Sequence, residues 1–156
     1  IVNVVSIYTV VGDVLGSAYS AGKGAMRALT RMAAVQYAAE NIRVNGVFPG
    51  FVETGMTREL HANPENRKHR IGLTPLGRLA VPEDIAYGIV YLASDAGANV
   101  TGRVFGTTGH RISVWHEPEW KSAIYSQEPF WDIDKLFELM PATFGALGWE
   151  MPPMQI

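Results

Sequence analysis

A tyrosine and a lysine, Tyr19 and Lys23, stand four residues apart in the run Tyr19-Ser20-Ala21-Gly22-Lys23. Ser6 lies thirteen residues before the tyrosine, at the end of an apolar run. On a helix, positions four apart share a face. A phenol and an ammonium so placed look into one cleft, and the positive charge favours the phenolate. A tyrosine tuned in this way gives or takes a proton near neutral pH. Y-x-x-x-K is a common pattern by chance, so the elements that position it decide what it means.

Ile1 to Val5 is a short, β-branched apolar run, which suits a strand buried on both faces of a parallel sheet. It reads as the middle of such a strand, with no polar lead-in. The sequence is therefore expected to be a fragment whose upstream part is missing. Ser6 to Ser17, with Gly12, Asp13 and Gly16, reads as a loop. From Ala18 to about Glu40 there is no proline, and Met26, Leu29, Ala33 and Tyr37 recur at helical spacing. This predicts a long helix with Tyr19 and Lys23 in its first turns. Its small residues, Ala18, Ala21, Gly22, Gly24 and Ala25, would let another backbone approach closely.

Ile42 to Phe48 is a second strand candidate, stopped by Pro49-Gly50. Residues 51–79 are polar, with room for short helices, and read as a mobile flap. Arg58, Arg67, Lys68 and Arg70 in it are either a solvated surface or contacts for a phosphate-bearing substrate. Pro82 opens a clear helix, since proline suits the first helical position and Glu83 and Asp84 complement the helix dipole. Ile85, Ile89 and Leu92 form its apolar stripe. Arg103 to Thr107 is a third strand candidate, and Arg111 to Val114 reads as extended. Asn99-Val100-Thr101 matches a glycosylation sequon, read as accidental without a secretory signal. Beyond residue 114 the chain turns aromatic, with Trp115, Trp120, Phe130, Trp131, Phe137, Phe144 and Trp149. One helix is expected there, from Asp132 to Leu139, and Pro152-Pro153 should be extended. Strands alternating with helices imply βαβ units with right-handed crossovers.

The 156 residues make one domain or part of one, with 47% hydrophobic and 18% charged residues, as in a globular soluble protein. A net charge of -2 gives no electrostatic hold on nucleic acid or an anionic membrane. The chain has no cysteine, which excludes disulfides and thiolate chemistry. His61, His69, His110 and His116 lack metal-ligand spacing, so no metal is expected. No apolar run approaches the roughly 20 residues of a membrane helix, and no signal peptide is visible, so the expected compartment is the cytoplasm. Neither a strand-linked G-x-G-x-x-G nor a complete phosphate-binding P-loop occurs.

Taken together, Ile1 to Ser6, Tyr19 to Lys23, Ile42 to Thr54, Pro82 to Ala86, Tyr91 to Asp95 and Val100-Thr101-Gly102 resemble the C-terminal half of a short-chain dehydrogenase/reductase, in the family's order and spacing. The resemblance covers residues 1 to about 114. It implies the C-terminal part of a Rossmann-type, doubly wound α/β sheet, entered at about its fifth strand with the N-terminal half absent. Residues 115–156 lie outside the common core. They are similar to extensions on members that handle 3-hydroxyacyl-CoA.

By this resemblance Ser6 hydrogen-bonds the substrate oxygen, and Tyr19 is the general acid in reduction and the base in oxidation. Lys23 lowers the tyrosine pKa and contacts the nicotinamide ribose. Pro49, Gly50, Val52 and Thr54 line the nicotinamide. The implied cofactor is NAD or NADP, because the selecting residue belongs upstream. The implied substrate is a small alcohol or ketone, with acyl-CoA added by the likeness of the extension. The implied assembly is a homodimer or homotetramer built through the long helix and last strand.

Departures are Val5 before the serine and Thr108-Gly109-His110 where the family often has Asp-Gly-Gly. The glycine-rich turn and the catalytic asparagine are also missing. Each residue has a plainer reading as well: Ser6 caps a turn, Tyr19 is half-buried, Lys23 is solvated, Pro49-Gly50 stops a strand and Thr54 caps a helix. A non-catalytic fragment or subunit-association segment is the alternative at the level of the whole chain. A sugar-nucleotide epimerase shares Y-x-x-x-K but is disfavoured by Pro49 to Thr54 and Leu92 to Asp95. The enoyl-reductase branch spaces its tyrosine and lysine further apart.

Overall fold

The computed structural model describes residues 1–12, 16–108, 111–115, 123, 130 and 132–143. The chain divides into two compact units, one holding Ile1–Trp115 and the other His116–Pro153. In the first unit a four-stranded sheet runs in the order β1 (Val2–Val4), β2 (Asn45–Pro49), β3 (Val104–Thr108), β4 (Arg111–Val114). The first three strands are parallel. Val2 pairs with Asn45 and Val4 with Val47, while Gly46 pairs with Val104 and Pro49 with Thr107. The extended run 111–114 folds back on β3 antiparallel, with Thr108 opposite Arg111.

Side chains alternate across the strands with period two. Val44 and Phe48 pack with Ala33, Ala34 and Met26 of α1 (Ser17–Gln36). Val47 and Phe105 pack with Ile85, Ile89 and Leu92 of α4 (Pro82–Ala93). The two helices therefore cover opposite faces of the sheet, as in a doubly wound fold. With β1, β2 and β3 adjacent, parallel and in sequence order, the two crossovers must have opposite hands. This corrects the expectation of uniformly right-handed connections. The reason is spatial: α1 already covers one face, so the apolar stripe of α4 is buried on the other. The long connection after β2 is enough to carry the chain there.

The stripe of α4 is as expected, but that of α1 is not. Thr30, Ala33 and Ala34 are its buried residues, whereas Leu29 is 55% exposed and Tyr37 is 43% exposed. Thr30 tolerates complete burial because its hydroxyl donates to Met26 O (2.8 Å) and accepts from Asn3 Nδ2 (2.9 Å). The helix stops at Gln36 and a short 3₁₀ turn, Ala38–Glu40, ends at Asn41 with φ 57°.

The start of β2 is pinned by polar side chains. Arg43 donates to Leu92 O (2.8 Å), Val100 O (3.2 Å) and Ser94 O (3.3 Å), closing the last carbonyls after α4. Asn45 donates to Val100 O and accepts from Arg103 N. The Thr101 hydroxyl accepts from Val44 N (3.1 Å), which gives the sequon threonine a structural use. At the other end of α4, Asp84 accepts from Val81 N and takes a two-pronged contact from Arg78 (2.7 and 2.9 Å). The Arg78 hydrogen bonds, then the Val81 amide, pull the Asp84 carboxyl down to about 2.

The region read as a flap contains two short helices, α2 (Arg58–Ala62) and α3 (Pro64–Gly72). Asn63 caps α3 through Oδ1, which accepts from Glu65 N and Asn66 N, with Pro64 at the first helical position. A parallel bridge from Val52 to Ala80 closes the base of this excursion.

In the second unit the described helix is α5 (Ile133–Thr143). Asp132 is its cap, accepting from Asp134 N and Lys135 N, and the helix runs on through Pro141. The expected features at Asp13, Gly109, His110, Trp120, Trp131, Phe144, Trp149 and Pro152-Pro153 lie outside the described residues. Among the described residues no helix is long and apolar enough to cross a membrane.

Candidate active site

In open α/β sheets ligands bind beyond the carboxyl ends of the strands. Here the chain leaves β1 into Ser6 and leaves β2 into Gly50. All seven residues singled out from sequence, Ser6, Tyr19, Lys23, Pro49, Gly50, Val52 and Thr54, line one cleft of about 760 Å³ at that end. They come from the ends of two strands, the first turns of α1 and the segment after β2.

Ser6 is 6% exposed and starts a 3₁₀ turn, Ile7–Thr9, accepting from Tyr8 N at 3.3 Å. The plainer capping role is thus real. An acceptor role for Oγ leaves the hydroxyl proton to be donated. Gly16, in the left-handed region at φ 88°, turns the chain into α1. Tyr19 is 45% exposed, and its ring stands edge-on to Tyr8, with centroids 6.5 Å apart. One turn later Lys23 Nζ sits 5.8 Å from the Tyr19 ring centroid and donates to Val4 O at 2.7 Å. That bond ties α1 to the end of β1, so the ammonium is held beside the phenol by the sheet itself. Lysine has three N–H donors, so further donors remain.

The segment after β2 is equally constrained. Gly50 N donates to Thr107 O (3.0 Å), and a Cβ on Gly50 would lie 2.9 Å from Thr108 Cγ2. The close approach requires glycine. Thr57 Oγ1 donates to Val52 O at 2.6 Å, accepts from Thr54 N at 3.0 Å and lies 3.2 Å from Thr54 Oγ1. Thr54 does not cap α2; its hydroxyl pairs with Thr57, the residue at the cap position. Thr57 was missed in the sequence because a lone threonine before a short polar helix carries no periodic signal. We expect Thr57→Val to remove all three contacts at constant shape. The unfolding free energy should fall by about 1–2 kcal/mol, the size of one to two neutral hydrogen bonds, measured by urea titration.

Tyr8, Leu60 and Arg70 also line the cleft. Arg70 lies over the Phe51 ring at 5.0 Å and meets His61 Nε2 at 2.9 Å. His61 is 6% exposed, and its Nδ1 is buried with no hydrogen-bond partner among the described residues. Burial, then the Arg70 charge, hold this imidazole below 6.5, against a weaker opposing pull from Glu53. Below 6.5 the unfolded chain takes up a proton that the folded chain refuses. The stabilising effect of neutral His61 is therefore full above 6.5 and is lost as pH falls through the window beneath it. On acidification from about pH 7 to about pH 5 the thermal midpoint should drop, and His61→Phe should flatten that dependence.

Among known proteins, a family model described as Enoyl-(Acyl carrier protein) reductase matches residues 1–109. That description names one reaction, and the relatives carry others. The cis-4-hydroxycyclohexanecarboxylate dehydrogenase of Sinomonas cyclohexanicum is 46% identical over 114 residues, covering 73% of this chain and 45% of that protein. The solved 4-hydroxyisoleucine dehydrogenase complexed with NADH is 32% identical with a TM-score of 0.65, over 69% of this chain and 44% of that one. The angucycline C-6 ketoreductase LanV with bound NADP is 30% identical with a TM-score of 0.64, over 69% and 41%. A mostly parallel sheet with helices on both faces and a cleft at its carboxyl edge defines a Rossmann-like α/β fold. The chain belongs to the short-chain dehydrogenase/reductase family, of which it holds the C-terminal portion. It spans about half the length of the curated relatives it matches.

Proposed function

We infer that the chain carries the proton-handling half of a hydride-transfer site, in an NAD(P)-dependent enzyme that interconverts a small secondary alcohol and its ketone. The observation that carries this reading is the convergence on one cleft of Ser6, from the end of β1, with Tyr19 and Lys23, from the first turns of α1.

The residues present fit the nicotinamide end of the cofactor. Val52, Ile85 and Ile89 supply apolar wall, the Thr54–Thr57 pair a polar rim, and Lys23 spare donors for a ribose. When bound, the nicotinamide supplies or accepts the hydride. Tyr19 Oη gives its proton to the carbonyl oxygen in reduction, or takes the hydroxyl proton in oxidation. Ser6 Oγ holds that same oxygen in place. The Lys23 charge stabilises the negative charge that develops on Tyr19 in the step. NAD and NADP both suit this half, in keeping with relatives that bind either.

The dinucleotide's far end needs a glycine-rich turn, which these residues do not contain. Residues 1–114 are thus the catalytic half of a core and 115–156 an appended extension, with acyl-CoA as a second substrate class on account of that extension. Exposed apolar residues on α1 (Leu29, Met32, Val35) and α4 (Tyr87, Val90, Tyr91) support a homodimer or homotetramer.

The test compares dinucleotide titration and alcohol oxidation by the 156 residues alone and by the chain with its upstream coding sequence restored. We expect no tight binding and no turnover from the former, and both from the latter. Turnover by the 156 residues would overturn the assignment of the cofactor bed to another segment. No turnover of any secondary alcohol by the extended chain would favour a non-catalytic association segment.

A further inference from the structure

The geometry points to Arg70 as the residue that recognises an anionic group, and hence to a carboxylate-bearing hydroxy or keto acid as the substrate of this cleft. The inference rests on the dehydrogenase reading above and adds the substrate's charge to it.

Arg70 stands in the last turn of α3, and its side chain reaches the same cleft as Ser6, Tyr19 and Lys23. The guanidinium is fixed from two sides, by the Phe51 ring at 5.0 Å and by His61 Nε2 at 2.9 Å. Arginine only donates, so His61 Nε2 must accept, and the proton of this imidazole then sits on Nδ1. Neither support brings a negative charge. Among the described residues no carboxylate pairs with Arg70; the nearby Glu53 is taken by Arg67. Among the described residues the cleft wall contains no aspartate or glutamate, and its second cation, Lys23, stands on the Tyr19 side, bonded to Val4 O.

Among the described residues a positive, pre-oriented fork on a mostly apolar wall is thus left without a carboxylate partner. Part-buried charge without a partner is unfavourable, and a planar guanidinium matches a carboxylate through two parallel hydrogen bonds. The protein as a whole carries net charge -2, so this local positive surface is a property of the cleft and not of the composition. A cofactor phosphate is the other source of such an anion, and the experiment separates the two.

The extended, cofactor-binding protein is assayed with cis-4-hydroxycyclohexanecarboxylate and its methyl ester. Unmutated protein should prefer the acid in kcat/KM. Arg70→Gln should cut the acid-to-ester ratio about 10- to 100-fold, the range of one charged hydrogen-bonded contact, and Arg70→Lys should restore part of it. If the fork serves a cofactor phosphate, the ratio holds and the dinucleotide Kd rises instead, which overturns the substrate assignment. Calorimetric binding of cis-4-hydroxycyclohexanecarboxylate, benzoate and succinate in the presence of cofactor provides a readout free of chemistry. Binding lost in Arg70→Gln but kept in Tyr19→Phe supports the inference even where turnover fails, and so parts it from the catalytic reading. Absence of saturable binding of all three acids, or an unmutated protein indifferent to acid and ester, overturns it without a mutant.

Discussion

Tyr19→Phe, made in the chain with its upstream sequence restored, should remove nearly all turnover while dinucleotide affinity stays close to that of the unmutated protein. The change deletes one oxygen. The ring, its edge contact with Tyr8 at 6.5 Å and the Lys23 ammonium at 5.8 Å all remain available. What the proposed mechanism loses is the proton donor and acceptor for the reacting oxygen. General acid–base catalysis by a positioned side chain contributes about 10²–10⁴-fold, so kcat should fall by that order. A loss confined to KM would mean that Tyr19 binds substrate without moving its proton. An unchanged kcat would remove Tyr19 from the chemistry altogether.

Lys23→Met should damage both parameters. The variant keeps an unbranched stem but gives up the charge beside Tyr19 and the 2.7 Å bond to Val4 O. Val4 is 46% exposed, so water can take over that carbonyl and the fold should survive. Charged hydrogen bonds are each worth about 1.5–3 kcal/mol, and in the proposed mechanism two roles fall together: support of the proton step and contact with the ribose. We expect kcat to fall at least about tenfold and the dinucleotide KM to rise about tenfold. A variant in which only KM moved would assign Lys23 to cofactor binding alone. Lys23→Arg should recover affinity better than kcat, because its larger planar head keeps the charge but not the position.

Legibility of the chain followed the kind of signal each element carries. Helix α4 was plain because a proline, two acidic residues and an apolar stripe all agree over Pro82–Ala93. The length of α1 was plain too, but its buried face was not. Thr30 is fully buried and Leu29 is not, since Asn3 and the Met26 carbonyl satisfy a hydroxyl that apolar periodicity counts as polar. In the flap, short helices were allowed for but α2 and α3 were not bounded, because their faces are polar, although Asn63-Pro64 was a readable start signal. The opposite hands of the two crossovers follow from which face α1 leaves open, a tertiary fact that no local window holds. The seven candidate residues line one cleft, and in the sequence they pointed there only jointly: each alone fits a cap, a strand stop or a solvated side chain, and Ser6 does cap a turn as well. Thr57 stayed hidden because its work is to hold the Val52 and Thr54 backbone in place.

The central claim is that the cleft holding Ser6, Tyr19 and Lys23 governs proton movement during hydride transfer. The most direct measurement is a single turnover by the extended, cofactor-loaded protein on a secondary alcohol deuterated at its carbinol carbon. Deuterium should appear in the reduced nicotinamide with unmutated protein, and its appearance should be nearly abolished in Tyr19→Phe. Equal rates of deuterium transfer in the two proteins would contradict the claim.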